Sequence, residues 1–325
     1  MSVTFSGAFT FSGGGFTATL APPGGGGWFS GGYVPSSGAT STVEKITFAT
    51  DTAVASSRGP LNTAVFALAS TGTSTAGWFG GGFNGGYISM VQRITYATDT
   101  ATASVRGPIG TFGRYRMAAT TDTTTYGWYG GAVYGYGTLV NRITYASDTA
   151  TGSTRGPLTA ISYNNTATGS TSYGWYIGGG QPVEISSIDR IDYSNDTATA
   201  TSRGPLTAAT QRFAGAVTDV TTYGWAAGGI TPVNPTGTSM VQRITYATDT
   251  AVATVRGPLI SVRYSNSGTS NDSTYGWFGG GGTSGPGFTY LSSVTRITYA
   301  TDTATSTNRG NLGLARSSLA GASGT

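Results

Sequence analysis

Residues 126–157 read YGWYGGAVYGYGTLVNRITYASDTATGSTRGP, and close copies of this stretch recur along the chain. Its tryptophan marks the repeat, because the 325-residue chain has six tryptophans spaced 47 to 52 residues apart. Self-similarity at such a period indicates a solenoid, a propeller or another repeat array. The chain therefore consists of six similar units, which are centred on Trp28, Trp78, Trp128, Trp175, Trp225 and Trp277.

Three charged residues recur in every unit at fixed spacing. Each unit has an aspartate, an arginine seven residues after it and a basic residue six residues before it. The aspartates are Asp51, Asp99, Asp148, Asp196, Asp249 and Asp302; the arginines are Arg58, Arg106, Arg155, Arg203, Arg256 and Arg309; the preceding basic residues are Lys45, Arg93, Arg142, Arg190, Arg243 and Arg296.

The third unit predicts four strands, over residues 114–120, 126–130, 139–146 and 150–154. Side chains in the third stretch alternate with the two-residue period of a strand. Asp148 favours the turn that follows, since its side chain can hydrogen-bond to the nearby backbone. Four antiparallel strands in about 50 residues are typical of a propeller blade. We therefore expect an all-β fold, a six-bladed β-propeller of four-stranded blades.

The two ends of the chain suggest how the ring closes. The six units occupy residues 24–325, and residues 312–323 have the pattern of a first strand with no blade behind it. We expect this C-terminal strand to join the blade of Trp28. Residues 1–23 would then form an N-terminal arm. In the alternative, residues 17–21 supply the missing strand.

Strand order predicts where the repeated charges lie. The loops joining strands 2–3 and 4–1 share one face of a blade, whereas the 1–2 and 3–4 loops share the other. The basic residues would lie towards the first face and the aspartates towards the second. We therefore expect arginines at one rim of the disc and aspartates at the other. The arginines are expected to be structural, capping carbonyls or stacking on aromatic rings.

The composition excludes several functions. Without Cys and His the chain cannot form a zinc finger, a disulfide or a Ser–His nucleophile. Only oxygen ligands remain, which leaves at most a calcium- or magnesium-type site. We expect no metal and no cofactor. Its single lysine argues against nucleic-acid binding. No segment has the apolar length of a membrane helix, so no membrane insertion is expected.

The units differ most in their 2–3 loops, and ligand recognition is expected on the face that the 2–3 and 4–1 loops form. The 2–3 loops carry aromatic residues among Gly, Ser and Asn, a composition typical of adaptable recognition surfaces, and aromatic rings also suit the apolar faces of sugars. In the alternative, the rings fill gaps over the channel mouth. The candidate ligand-binding residues are Tyr33, Phe83, Tyr87, Tyr134, Tyr136, Phe288 and Tyr290.

The unit resembles a kelch repeat, whose blades carry a glycine doublet after the second strand, an aromatic residue and an Asp on the third, and an Arg after the fourth. It departs from that family in placing Trp on the second strand instead of the fourth. The matching doublets are Gly31-Gly32, Gly81-Gly82, Gly130-Gly131, Gly179-Gly180, Gly228-Gly229 and Gly280-Gly281; the aromatic residues are Phe48, Tyr96, Tyr145, Tyr193, Tyr246 and Tyr299.

The amino-acid sequence of the repeat also resembles repeats in structural proteins of marine tailed phages, notably those infecting cyanobacteria. The matching stretches include YGWFGGG at 275–281 and VQRITYATDTATASVRGP at 91–108. The similarity covers about residues 24–316. It implies an extracellular virion component of tail-fibre or adhesin type. Its partners would be other virion structural proteins and a host surface polysaccharide. The alternative is a capsid or tail decoration or assembly protein with no host contact.

Enzyme functions are expected to be absent. A glycosidase needs two opposed carboxylates. Glu184, Asp189 and Asp192 are close in sequence, but strand alternation and solvation explain them equally well. Galactose oxidase, a kelch enzyme, uses His and Cys ligands that this chain lacks.

A sialidase-like glycan hydrolase is the remaining enzyme alternative, because sialidases are six-bladed propellers. The sialidase Asp-box has Asp five residues before Trp with an intervening Gly. Asp122 and Asp219 stand six residues before Trp, and Asp272 has the spacing once but with Gly276 misplaced.

Overall fold

The computed structural model describes residues 10–12, 15–17, 25–133, 135–180, 183–212, 215–271, 273–285 and 287–324. These residues form six four-stranded antiparallel sheets around a central channel, which confirms the predicted six-bladed β-propeller. From the channel outward, the strands are Ala320–Gly324, Gly26–Ser30, Val43–Thr47 and Ser56–Ser57 in blade 1; Ala69–Gly72, Ala76–Gly80, Met90–Thr95 and Ser104–Pro108 in blade 2; Ala118–Thr121, Tyr126–Gly130, Val140–Thr144 and Ser153–Arg155 in blade 3; Thr166–Gly169, Tyr173–Ile177, Ile188–Asp192 and Thr201–Arg203 in blade 4; Gly215–Thr218, Tyr223–Ala227, Val241–Thr245 and Thr254–Arg256 in blade 5; and Ser267–Ser270, Tyr275–Gly279, Val294–Thr298 and Thr307–Asn308 in blade 6.

Third and fourth strands are shorter than the sequence pattern predicts. In blade 3 the third strand ends at Thr144, because Tyr145–Ser147 forms a 3₁₀ turn that Asp148 closes. The outer strand is only Ser153–Arg155. Short outer strands leave little unpaired edge for another chain to add to. The corresponding 3₁₀ turns are Phe48–Thr50, Tyr96–Thr98, Tyr193–Asn195, Tyr246–Thr248 and Tyr299–Thr301; among the described residues no helix is long and apolar enough to cross a membrane.

Three further strand pairs lie outside the blades. Tyr33–Val34 pairs with Gly38–Ala39 in the 2–3 loop of blade 1, and Gly282–Gly285 pairs with Gly287–Tyr290 in that of blade 6. The third pair, Thr10–Ser12 with Gly15–Thr17, lies in the N-terminal segment.

Blade 1 is assembled from both ends of the described chain. Ala320–Gly324 pairs antiparallel with Gly26–Ser30, whose other edge is paired with Val43–Thr47. The closing strand thus lies at the end of the segment 312–323 and one residue beyond it. Both edges of Gly26–Ser30 are thus paired within blade 1. Of the alternative strand 17–21, residues 18–21 lie outside the described residues. The rest of the expected arm, apart from 10–12 and 15–17, lies outside the described residues.

One buried aspartate per blade organises the contact with the preceding blade. Asp148 Oδ2 accepts hydrogen bonds from Trp78 Nε1 at 2.7 Å and from Arg93 Nη1 at 3.0 Å. It also lies 3.4 Å from Arg106 Nε. All three side chains belong to blade 2, so a single carboxylate ties two blades together. We call this arrangement the interblade clasp; it recurs at Asp99, Asp196, Asp249, Asp302 and Asp51.

An aromatic stack extends each clasp into the core. Trp78 stacks on Tyr145 of the next blade with ring centroids 4.1 Å apart, and the Tyr145 hydroxyl lies 2.6 Å from Thr71 Oγ1 on an inner strand. The six such stacks have centroid separations of 3.8 to 4.2 Å, with Phe48 replacing tyrosine in the contact made by Trp277. The repeated Trp, Tyr, Asp and Arg are therefore one interface, copied six times.

The expected separation of arginines and aspartates to opposite rims is wrong. Arg142 lies in the middle of its strand, opposite Trp128, and does not open the strand. Its Nη1 reaches Asp196 of the next blade at 3.0 Å, and Arg155 Nε lies 3.4 Å from the same carboxylate. The repeat charges therefore meet between neighbouring blades and not at opposite rims of the disc. Arg142 also stacks on the Tyr126 ring at 4.0 Å.

Each Arg-Gly pair requires its glycine because the turn of the next blade lies directly against that position. Gly107 donates its backbone N–H to the Asp148 carbonyl at 2.8 Å. A Cβ at Gly107 would lie 2.3 Å from the Ala150 carbonyl oxygen, closer than atoms can pack. Only glycine lets the turn of the next blade approach this closely.

Removing the arginines of one clasp should destabilise the ring. We expect Arg155→Ala to lower the free energy of unfolding by about 2 kcal/mol and the Arg142→Ala/Arg155→Ala double variant by about 4 kcal/mol, because the buried Asp196 then keeps only Trp128 as its side-chain donor. Thermal and denaturant unfolding followed by circular dichroism measure this. Arg212→Ala, at an arginine outside the clasps, is the control and should stay within about 0.5 kcal/mol of wild type. An unchanged melting temperature in the double variant would contradict a structural role.

The clasp between blades 1 and 2 can be improved. There Lys45 replaces arginine, its Nζ lies over the Trp28 ring at 4.6 Å, and burial lowers its pKa. We expect Lys45→Arg to add the ion pair with Asp99 that Arg93 makes with Asp148, raising the free energy of unfolding by about 0.5 kcal/mol. Lys45→Gln is the matched control. If both variants change stability equally, the gain is not ionic.

Alkaline pH should unfold the ring through its interface tyrosines. Burial raises the pKa values of Tyr96, Tyr145, Tyr193 and Tyr246 well above the ordinary value of about 10. Their contribution to stability is complete below about pH 10 and is lost as pH rises further, because the unfolded chain releases these protons and the folded chain retains them. We expect their tyrosinate absorbance to rise together with the loss of circular dichroism. Ionisation of all 19 tyrosines with the fold intact would refute this.

Candidate functional site

The 2–3 loops leave the second strands through glycines with left-handed backbone conformations. In blade 1, Gly31 has φ of +64° and Gly32 has φ of +118°. A Cβ at Gly32 would lie 2.9 Å from the Ser317 carbonyl oxygen, so the doublet also allows close approach to the 4–1 loop. The 2–3 and 4–1 loops therefore pack together on one face of the propeller.

Aromatic side chains from these loops form one continuous surface over blades 6, 1 and 2. Neighbouring ring centroids along it are 4.5 to 6.0 Å apart, within the range of favourable aromatic pairs. We call this surface the aromatic arc; in spatial order it consists of Tyr264, Phe288, Tyr290, Tyr33, Phe66, Phe83, Tyr87 and Tyr115.

Several rings of the arc are accessible. Tyr87 is 51% exposed and Phe288 is 46% exposed, whereas Tyr264 is buried and anchors its end of the arc. The remaining five are half-buried. Each ring of the arc packs against at least one neighbouring ring, edge to face, tilted or stacked, so little conformational entropy is lost when a ligand covers it.

The structure brings five of the seven sequence-predicted residues together in the arc: Tyr33, Phe83, Tyr87, Phe288 and Tyr290. Tyr136 instead stacks on Phe112 at 5.2 Å. Tyr134 lies outside the described residues.

Phe66, Tyr115 and Tyr264 complete the arc from the 4–1 loops and were not among the sequence-predicted residues. Their position eight or nine residues after the repeat arginines Arg58, Arg106 and Arg256 was a signal that could have found them.

A closed ring of backbone hydrogen bonds surrounds the channel mouth on this face. One residue per blade has φ between +50° and +59° and donates its N–H to the carbonyl of the equivalent residue in the preceding blade, at 2.6 to 3.0 Å. The ring closes because Ala67 donates to Ser318. We call it the mouth ring; its members are Ala67, Arg116, Asn164, Arg212, Ser265 and Ser318.

Below the mouth ring lies the central channel, with a volume of about 680 Å³. Inner-strand residues line it, mainly Thr, Ser, Ala and Gly. Thr71, Thr120 and Thr168 are already engaged by hydroxyls of Tyr145, Tyr193 and Tyr246 at 2.6 to 2.8 Å. These three channel-lining hydroxyls therefore take part in the contacts between blades.

The candidate carboxylates outside the repeat make local structural contacts. Asp189 accepts hydrogen bonds from the backbone N–H and the hydroxyl of Thr159, both at 2.6 Å. Asp192 accepts from the backbone N–H and the hydroxyl of Ser194. Glu184 accepts from Gln211 at 2.7 Å.

Two of the aspartates considered for a sialidase-like site also accept hydrogen bonds from the backbone. Asp122 and Asp219 each accept three backbone hydrogen bonds in 1–2 turns, from residues 124–126 and 221–223. Asp272 lies outside the described residues. Within the described part of the chain no three acidic side chains come together as a metal site would require.

No protein-family model matches the chain, and no curated protein is significantly similar to it.

Proposed function

We propose that the protein is a non-enzymatic phage virion component of the tail-fibre or adhesin type, which attaches to a polysaccharide of the host surface. The aromatic arc carries this proposal. It presents partly exposed rings on a rigid frame, on the face where the repeat units differ most in sequence.

Sugars suit such a surface because the C–H faces of a pyranose ring are apolar while its edges carry hydroxyls. The arc supplies the flat rings, and the loops around it supply Ser, Asn and backbone groups, as in other rigid aromatic recognition surfaces. Kelch-type blades would serve here as the scaffold. The phage setting, the extracellular location and the contact with other virion proteins are supported by the sequence resemblance.

Charge distribution supports a partner other than nucleic acid. Twelve of the 17 basic side chains are ion-paired with carboxylates inside the described structure. Phosphate binding draws on free cations clustered along one stripe. The proposal assigns no catalytic role to Asp122 and Asp219 of the sialidase-like alternative, since each accepts three backbone hydrogen bonds in a 1–2 turn.

The test is binding of the purified protein to host cells and to their extracted envelope polysaccharide. We expect Tyr87→Ala/Phe288→Ala to weaken binding at least about tenfold, because exposed aromatic anchors dominate recognition surfaces. Val252→Ala, which removes another exposed apolar side chain, from a 3–4 connection, is the matched control and should bind as wild type.

Folding is checked in each variant by its melting temperature. A folded wild-type protein that binds neither cells nor polysaccharide would refute the adhesin function. It would favour a decoration or assembly protein, which should bind virions instead.

A further inference from the structure

A second recognition element lies beside the aromatic arc, at the channel mouth. A cavity of about 180 Å³ is lined there by the mouth ring and by Phe288 and Tyr264 of the arc. Two of the mouth-ring side chains are Arg116 and Arg212. Their backbones are both hydrogen-bonded to Asn164, at 2.8 and 2.9 Å, so the two arginines flank one residue.

These arginines differ from the others in the protein. Among the described residues, neither Arg116 nor Arg212 has an ion pair or a side-chain hydrogen bond to a protein group; Arg116 only lies over the Tyr115 ring, at 5.2 Å. By contrast, Arg114 and Arg263 are buried and donate to backbone carbonyls.

The acidic group connected to this mouth is already engaged. Glu184 accepts from Gln211, whose Oε1 accepts from Asn164 Nδ2 at 3.4 Å. Neither arginine lies within ion-pair distance of this carboxylate. The mouth therefore holds two guanidinium groups that have no counter-ion within the described part of the protein.

Backbone conformation at the mouth ring favours a role for its side chains. A left-handed backbone costs an ordinary residue about 1 kcal/mol, and glycine avoids this cost. The chain has 53 glycines and uses them at many other left-handed positions, yet none occupies the mouth ring. The hydrogen-bonded ring explains the conformation but not the choice of arginine at two of its six positions.

A buried amide beside the ring also lacks a partner. Asn266 follows Ser265 of the mouth ring, lines the same cavity and is 6% exposed. Neither its Nδ2 nor its Oδ1 is hydrogen-bonded. Leaving a buried amide unpaired costs about 1 to 3 kcal/mol, which a polar ligand group at the mouth would recover.

We infer that the channel mouth binds the anionic substituent, a carboxylate or a sulfate ester, of an acidic sugar whose ring lies on the adjoining aromatic arc. The planar guanidinium forks of Arg116 and Arg212 match the paired oxygens of such a group. Asn164 and Asn266 provide neutral amides beside them. This inference rests on the proposed glycan-binding function and specifies its substrate class.

The test compares three forms of the extracted host polysaccharide: native, carboxyl-reduced and desulfated. Arg116→Gln/Arg212→Gln removes both forks with little change in side-chain size. Val54→Glu/Val252→Glu is the matched control, because it lowers the net charge by the same two units at exposed positions away from the mouth. Melting temperatures of all variants establish that they fold.

We expect the double arginine variant to bind the native polysaccharide at least about tenfold more weakly, while the charge control binds as wild type. Wild type should lose a similar factor on the carboxyl-reduced form if the group is a uronic carboxylate, or on the desulfated form if it is a sulfate ester. The arginine variant should bind that modified form as wild type does.

Undiminished binding by the arginine variant, or equal wild-type binding to all three forms, would overturn the inference and leave glycan binding standing. No binding of wild type to any form would overturn both.

Discussion

The rest of the structure depends on one buried carboxylate at each blade interface. Asp148 and its five counterparts each accept a tryptophan N–H, and five of the six also lie against two arginines of the preceding blade. A carboxylate left alone in such a place would be strongly destabilising. Here the desolvation cost is offset by donors that come only from the neighbouring blade, so each blade is completed by the next.

The same contacts align the Trp–Tyr stack, which buries the largest rings of the core. Because the last clasp joins Trp277 to Asp51, the requirement is satisfied only when the ring closes.

The residues that form the interblade clasp are alike in all units, and the chain varies where it does not contribute to the clasp. The clasp uses the second and third strands, the 3₁₀ turn and the Arg-Gly pair, which are therefore alike in all units. The 2–3 and 4–1 loops contribute little to it and differ in length and composition. Their aromatic residues gather on one face, and the mouth ring ties the same face together with backbone hydrogen bonds. A rigid frame under variable loops is the arrangement in which recognition sites are commonly found.

The sequence pointed to five of the eight rings of the arc, all of them in 2–3 loops, and to none of the rings that the 4–1 loops contribute. Tyr33 and Phe83 were recognised because they interrupt Gly-rich segments. Phe66 packs between them, at 5.3 Å from Tyr33 and 5.6 Å from Phe83, yet it lies in a stretch that reads as the approach to an inner strand. Arg116 and Arg212 carried no sequence signal, because neither belongs to the repeat. Their shared position became evident only through the backbone ring that joins consecutive blades.

By itself the sequence determined that there are six blades, which strands each contains and in what order. These properties follow from a period near 50 residues, from two-residue alternation and from turn residues, all of which act locally. Only the tertiary structure decided where the charges go. Arg142 and Asp196 are 54 residues apart, and their contact depends on how one blade leans on the next. The ring brings the repeat arginines of each blade to the buried aspartate of the next, because only the packed interface both shields that carboxylate from water and places the guanidinium groups beside it.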